Sequence, residues 1–121
     1  EGKVLLLSTK STGRYWLPGG GLNPGESLEE GMRREVMEEA GIEIEIGEMV
    51  KFKEIFFYYE PLDEAYHTLA FFYRCAAKSV VLLDDDKVDP EEESEKPRWI
   101  DIKDLRPDQM QHPMAEILPL L

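Results

Sequence analysis

The chain has 121 residues, 42% of them hydrophobic and 33% charged, the size and balance of one folded domain with one core rather than of several modules or a disordered chain. Fourteen Lys and Arg against 26 Asp and Glu leave a net charge of −12, which excludes nucleic-acid binding by basic charge and requires any phosphate ligand to arrive with cations. The longest apolar runs, Val4 to Leu7 and Leu69 to Tyr73, fall far short of the roughly 18 to 20 residues of a bilayer helix, so no membrane role is expected.

In chain order, Val4 to Ser8 reads as a strand that ends in a Thr9 to Gly13 turn and resumes at Tyr15 to Leu17. Pro18, Gly19, Gly20 and Gly21, with Asn23, Pro24 and Gly25 behind them, make a loop whose backbone can approach a ligand closely. Ser27 and Glu30 have the spacing of a capping box, Leu28, Met32, Val36 and Ala40 recur on one stripe, and Gly41 is a stop signal, which predicts a helix over about residues 28 to 40. Ile42, Ile44 and Ile46 alternate with Glu43 and Glu45, and the pattern runs on to Tyr59, predicting one or two strands. His67 to Ala76 and Arg98 to Ile102 are further strand candidates, with Trp99 in the core.

Between those two candidates, Asp84 to Pro97 carries eight acids against Lys87 and Lys96, a net of −6, and is expected to be a solvated acidic loop. Asp104 to Met110 and Pro113 to Leu118 read as short helices, the second limited by Pro119. No repeat or linker divides the chain, so residues 1–121 are expected to be a single domain. The single cysteine, Cys75, excludes an intrachain disulfide and suits a reducing compartment, which makes the cytoplasm the expected location. The opening at Glu1 and Gly2, without methionine or a signal-peptide pattern, suggests a trimmed N-terminus.

Glu35, Glu38 and Glu39 stand at i, i+3 and i+4 of the predicted helix, three carboxylates within one arc of about 100°. The spacing alone admits two readings, a solvated acidic face or a site where a hard divalent ion neutralises the repulsion. His67 and His112 are 45 residues apart with no third partner, so both read as structural.

Gly20, Glu26, Arg34-Glu35-Val36, Glu38-Glu39 and Gly41-Ile42 fill every fixed position of a 23-residue Nudix box, and on these residues the chain resembles a Nudix hydrolase. Trp16-Leu17-Pro18-Gly19 looks like the family's lead-in, and His67-Thr68-Leu69 and the Arg98 to Leu105 stretch are similar to later strands of MutT-like members. Gly31 and Met32 depart from the pattern, standing where many members have Ala, which is expected to loosen the helix.

The resemblance implies an α/β fold, an α/β/α sandwich with a mixed curved sheet between helices. It implies a Mg²⁺- or Mn²⁺-dependent pyrophosphohydrolase that cleaves a nucleoside diphosphate linked to another moiety: a nucleoside triphosphate, a nucleotide sugar or a dinucleoside polyphosphate. Its metal ligands would be Glu35, Glu38, Glu39 and the Gly20 carbonyl. Arg34 would orient Glu35, and Glu26 would support the ligands from behind. In MutT-like members an acid from the loop before the late strand joins the site, here Glu93 with Glu92 and Glu95 beside it, so the general base stays open between Glu35 and Glu93.

Tyr58 and Tyr59 stand where a tyrosine weakly marks dinucleoside polyphosphate hydrolysis, though strand packing explains them equally well. The partner would be a small nucleotide-type substrate, with oligomeric state open and a homodimer among the options. The rival reading is a catalytically silent Nudix-like module that binds a nucleotide or a protein. A silent member would typically have lost a box glutamate, and none is lost here.

Overall fold

The computed structural model describes residues 2–8, 13–79, 97–111 and 114–121. Residues 9–12, where a turn is expected, residues 80–96, which include Glu92, Glu93 and Glu95 of the expected acidic loop, and His112 lie outside the described residues.

Strands β1 (Lys3–Ser8), β2 (Tyr15–Trp16) and β5 (Arg98–Asp101) form a three-stranded sheet in the order β2-β1-β5. Its ladders are antiparallel, with Leu7 opposite Trp16 and Leu5 opposite Trp99. One parallel bridge, Tyr15 to Met110, ties the C-terminal segment alongside β2. Helix α1 (Leu28–Ala40) lies between this sheet and a long antiparallel hairpin of β3 (Ile44–Tyr59) and β4 (Glu64–Ala77) in chain order.

The isoleucine-rich stretch after the helix is therefore one strand of 16 residues, not two. Its register slips between Ile46 and Met49 and again between Met49 and Lys51, and the slip is bulge geometry at a glycine: a Cβ on Gly47 would stand 2.8 Å from the Arg74 carbonyl oxygen. A turn at Glu60–Leu62 followed by Asp63 in the left-handed region (φ 50°) closes the hairpin.

Successive residues of β1 point to opposite faces, and this splits the core in two. Leu5 packs on Val36, Ala40, Ile42 and Ile44, joined by Met32, Ile46 and Trp99. Leu6 packs with Leu105 and Met110, joined by Ile100, Met114 and Leu118. Helix α1 thus covers one side of β1 and the C-terminal turns cover the other. Those turns are 3₁₀ rather than α-helical. The expected helix from Asp104 to Met110 is two short turns, Ile102–Asp104 and Pro107–Gln109, because Arg106 precedes a proline and takes extended angles (φ −118°, ψ 149°). The last segment, Met114–Leu120, coils as 3₁₀ through Pro119 instead of stopping at it.

Candidate active site

Helix α1 forms over the residues that its sequence signals mark. The Ser27 side chain accepts from Glu30 N–H and the Glu30 carboxylate accepts from Ser27 N–H, at 3.2 and 2.8 Å. Gly41 ends the helix in the left-handed region (φ 74°), donating to the Met37 carbonyl.

The glycine loop before the helix is laced along one of its stripes, residue by residue. Gly19 N–H donates to Glu39 Oε1 at 2.8 Å. Gly20 lies so close to Glu35 that a Cβ there would meet the carboxylate at 2.7–2.8 Å. The Gly21 carbonyl accepts from Arg34 Nη2 at 2.9 Å. Leu22 covers Gly31, its Cδ2 methyl standing where a Cβ on that residue would lie. Three extended steps span about 10 Å, and the eight helical steps from Gly31 to Glu39 rise about 12 Å, so the two run side by side. Each loop residue from Gly19 to Leu22 answers to the 31, 34/35, 39 stripe.

Arg34 is the hub of this arrangement. Its Nε donates to Glu26 Oε2 at 2.6 Å and its Nη2 to Glu26 Oε1 at 3.0 Å. Its Nη1 reaches Glu35 Oε1 at 2.8 Å and Glu38 Oε1 at 3.1 Å. Glu26 also accepts from Asn23 N–H at 2.8 Å, so one carboxylate closes both the loop and the arginine. Arg34, and after it the Asn23 amide, hold the Glu26 carboxyl below its ordinary value of 4.5. Glu26 and then Glu35 in turn push the Arg34 guanidinium further above its ordinary range.

A carboxyl whose folded pKa is lowered stabilises the fold above its ordinary value and loses that contribution as pH falls through the lowered one. As pH falls below 4.5 and through that lowered value, the Asn23 amide is therefore expected to lose protection before the helix melts, which hydrogen exchange followed downward from pH 6 would read. Protection of Asn23 that persists until global unfolding would contradict the tie.

Of the box residues singled out in the sequence, the structure brings together Glu26, Arg34, Glu35 and Glu38 through the guanidinium, and it places Glu39 on the same stripe with its carboxylate on the loop backbone. Arg34 contacts Glu35 as expected, and it binds Glu26 and Glu38 as well. Among the described residues no three His, Cys, Asp or Glu side chains already converge as a metal cage; the positive charge between these carboxylates is Arg34's own. The donor set still fits a hard divalent ion. It is all oxygen, Gly20 leaves free the space that a Cβ would take beside Glu35, and Glu38 is 57% exposed with Arg34 as its tie.

The Gly19 N–H and the Leu22 contact were not legible as site features, and the run of three glycines was their only signal. Gly31, expected to loosen the helix, also makes room for Leu22. Alanine at this position would gain about 1 kcal/mol of helix propensity, and the atom in its way is the end of a flexible leucine that is half exposed. Gly31→Ala is thus expected to raise Tm by a few degrees, read by calorimetry, and a lowered Tm would show that Leu22 cannot yield.

Other candidates have local explanations. The Tyr58 hydroxyl donates to Asp63 across the hairpin turn, which raises its pKa. His67 is bonded to Glu54 at 2.8 Å and stacked on Phe56, ring centroids 4.2 Å apart.

The NUDIX domain family matches the chain over residues 1–121. The chain belongs to the Nudix family. Over 34 residues, 28% of this Nudix chain and 24% of the relative, it is 53% identical to the nucleoside triphosphatase NudI of an Enterobacter species. Over 49 residues, 40% of the chain and 32% of the relative, it is 41% identical to a MutT-like protein of Streptomyces ambofaciens. The crystal structure of a MutT NUDIX hydrolase from Burkholderia pseudomallei superposes with a TM-score of 0.68 at 25% identity, covering 98% of this chain and 88% of that one. The chain has the α/β Nudix fold. It spans about a quarter to a third of the length of the curated relatives it matches. No described helix is long and apolar enough to cross a membrane.

Proposed function

We propose that this chain, as one domain in the cytoplasm, hydrolyses a phosphoric anhydride of a nucleoside diphosphate linked to another moiety, using Mg²⁺ or Mn²⁺. The observation that carries this reading is the pairing of loop and helix: Gly19 fixes Glu39, Gly20 lies open against Glu35, and Glu38 faces solvent beside them. Glu35, Glu38, Glu39 and the Gly20 carbonyl would hold the metal, which when bound screens the polyphosphate charge and makes phosphorus more electrophilic.

The chain's own groups do the rest. Arg34 holds Glu35 in place and is itself anchored by both oxygens of Glu26. The proton of the attacking water passes to a carboxylate, Glu35 or Glu93. One relative, matched over 34 residues, is a nucleoside triphosphatase, and nucleoside triphosphates are accordingly the first substrate class to test, ahead of nucleotide sugars and dinucleoside polyphosphates. The silent binding module is the weaker reading, because every box glutamate is present.

A screen of these nucleotide classes with Mg²⁺, with Mn²⁺ and with excess EDTA, reading the nucleotide products by chromatography, tests the proposal. Hydrolysis of at least one class that EDTA abolishes is expected. No hydrolysis of any class with either metal would favour the binding module, and undiminished hydrolysis in EDTA would end the metal assignment.

A further inference from the structure

The hairpin has one face partly covered by the C-terminal turn, with Phe57 and Tyr59 exposed towards its tip, and one face open from Met49 onwards. On the covered face Lys53 pairs with Glu116 at 2.8 Å, and Arg74 donates to the Leu120 carbonyl at 3.1 Å, so the C-terminal turn lies against it. The opposite face begins under helix α1, where Ile44 and Ile46 join the core. Beyond that point the register places Met49, Phe52, Glu54, Phe56 and Tyr58 of β3 on this face, opposite Tyr73, Phe71, Leu69, His67 and Ala65 of β4. Met49, Phe52, Phe56, Tyr58, Leu69 and Phe71 are 41–71% exposed. The strip they form, from Met49 to Tyr58, is about 30 Å long. A two-stranded hairpin with so apolar a face is poorly stable in water unless something packs on it.

We propose that this face is a self-association surface, on which a second copy of the chain stacks about a two-fold axis. Area is the first argument. Six side chains this exposed, at about 150–250 Å² for each large side chain, present about 600 Å² per chain. Two copies face to face would bury about 1,200 Å², the lower end of what a specific, stable interface needs. Charge is the second argument. The chain carries −12, yet the charged side chains on this face reduce to Glu54 with His67 bonded to it at 2.8 Å. This is accordingly a surface on which two copies of so acidic a protein meet with little repulsion. It offers no acidic field to a basic partner and no cations to an anionic lipid surface. With the two-fold axis passing beside this pair, Glu54 of one copy would face His67 of the other, a polar centre that is its own complement.

Sedimentation velocity of the whole chain from about 1 to 100 µM is expected to show a reversible monomer–dimer equilibrium. Phe56→Lys and Leu69→Lys should each move it at least tenfold toward monomer. Phe56 is 71% exposed, so its variant should keep the parent circular dichroism, and hydrogen exchange of the unsubstituted chain gives a reading free of any folding defect. Protection over 49–58 and 65–73 should rise with protein concentration. A chain that stays monomeric at 100 µM, a dimer that ignores both substitutions, or exchange over these segments that does not change with concentration would overturn the proposal.

Discussion

Glu38→Gln and Glu39→Gln are each expected to reduce turnover by about 10² or more and to weaken Mg²⁺ and Mn²⁺ binding, while the fold survives. The two arrive there by different routes. Glu38 is exposed and pairs with Arg34 at 3.1 Å, a tie worth about 0–1 kcal/mol at a surface, so its loss should hardly move Tm. Glu39 is only 8% exposed and receives the Gly19 N–H at 2.8 Å. Glutamine keeps an oxygen to accept that bond but gives up its charge assistance, a loss of about 1 kcal/mol. A 10² loss in rate corresponds to about 2.7 kcal/mol at the transition state, well above either structural cost. Steady-state kinetics, Mn²⁺ titration calorimetry and thermal melts on both variants separate the two effects. Unchanged metal affinity and turnover in both would remove the helix carboxylates from the proposed site.

What the sequence made legible was local. Ser27, Glu30 and Gly41 set the helix limits because capping is a contact between residues three or four apart, and the structure carries each of those bonds. The box glutamates fell on one stripe for the same reason. Contacts that depend on what a distant segment does were not legible. Nothing in Ile44 to Tyr59 tells a break from a bulge until Gly47 is seen against the Arg74 carbonyl, and the helix expected from Asp104 to Met110 became two 3₁₀ turns where Pro107 forced Arg106 to extend. Gly31 shows the limit most clearly. Judged by helix propensity it is a defect, yet in the fold it is the space in which Leu22 holds the glycine loop to the helix.

Arg34 adds a constraint of its own. Its one guanidinium is shared by three carboxylates, Glu26, Glu35 and Glu38. Glu26 takes two of its bonds and is 17% exposed in its side chain, against 57% for Glu38. The anchor is therefore at Glu26, and the weakly held partner is the carboxylate that is freest to turn toward an incoming ion. Neutralising Glu26 would leave Arg34 to compete for Glu35 and Glu38, which makes that residue part of the charge balance without touching substrate.

Gly20→Ala should be nearly as damaging to turnover as loss of a box glutamate, about 10²-fold, with a stability change below about 1 kcal/mol. Gly20 has no positive φ among the glycines that do, so alanine brings no backbone strain; what it brings is a methyl carbon 2.7–2.8 Å from Cδ, Oε1 and Oε2 of Glu35. Something must move. The loop is fastened on both sides, at Gly19 to Glu39 and at Gly21 to Arg34, whereas Glu35 is the end of a side chain held by one bond from Arg34. The carboxylate is what yields, and Arg34 keeps Glu26, which is why the fold is spared. A double-mutant cycle reads this directly: in a Glu35→Gln background, where the carboxylate no longer contributes, Gly20→Ala should cost less than threefold. Penalties that multiply in full would show that Gly20 acts through something other than Glu35.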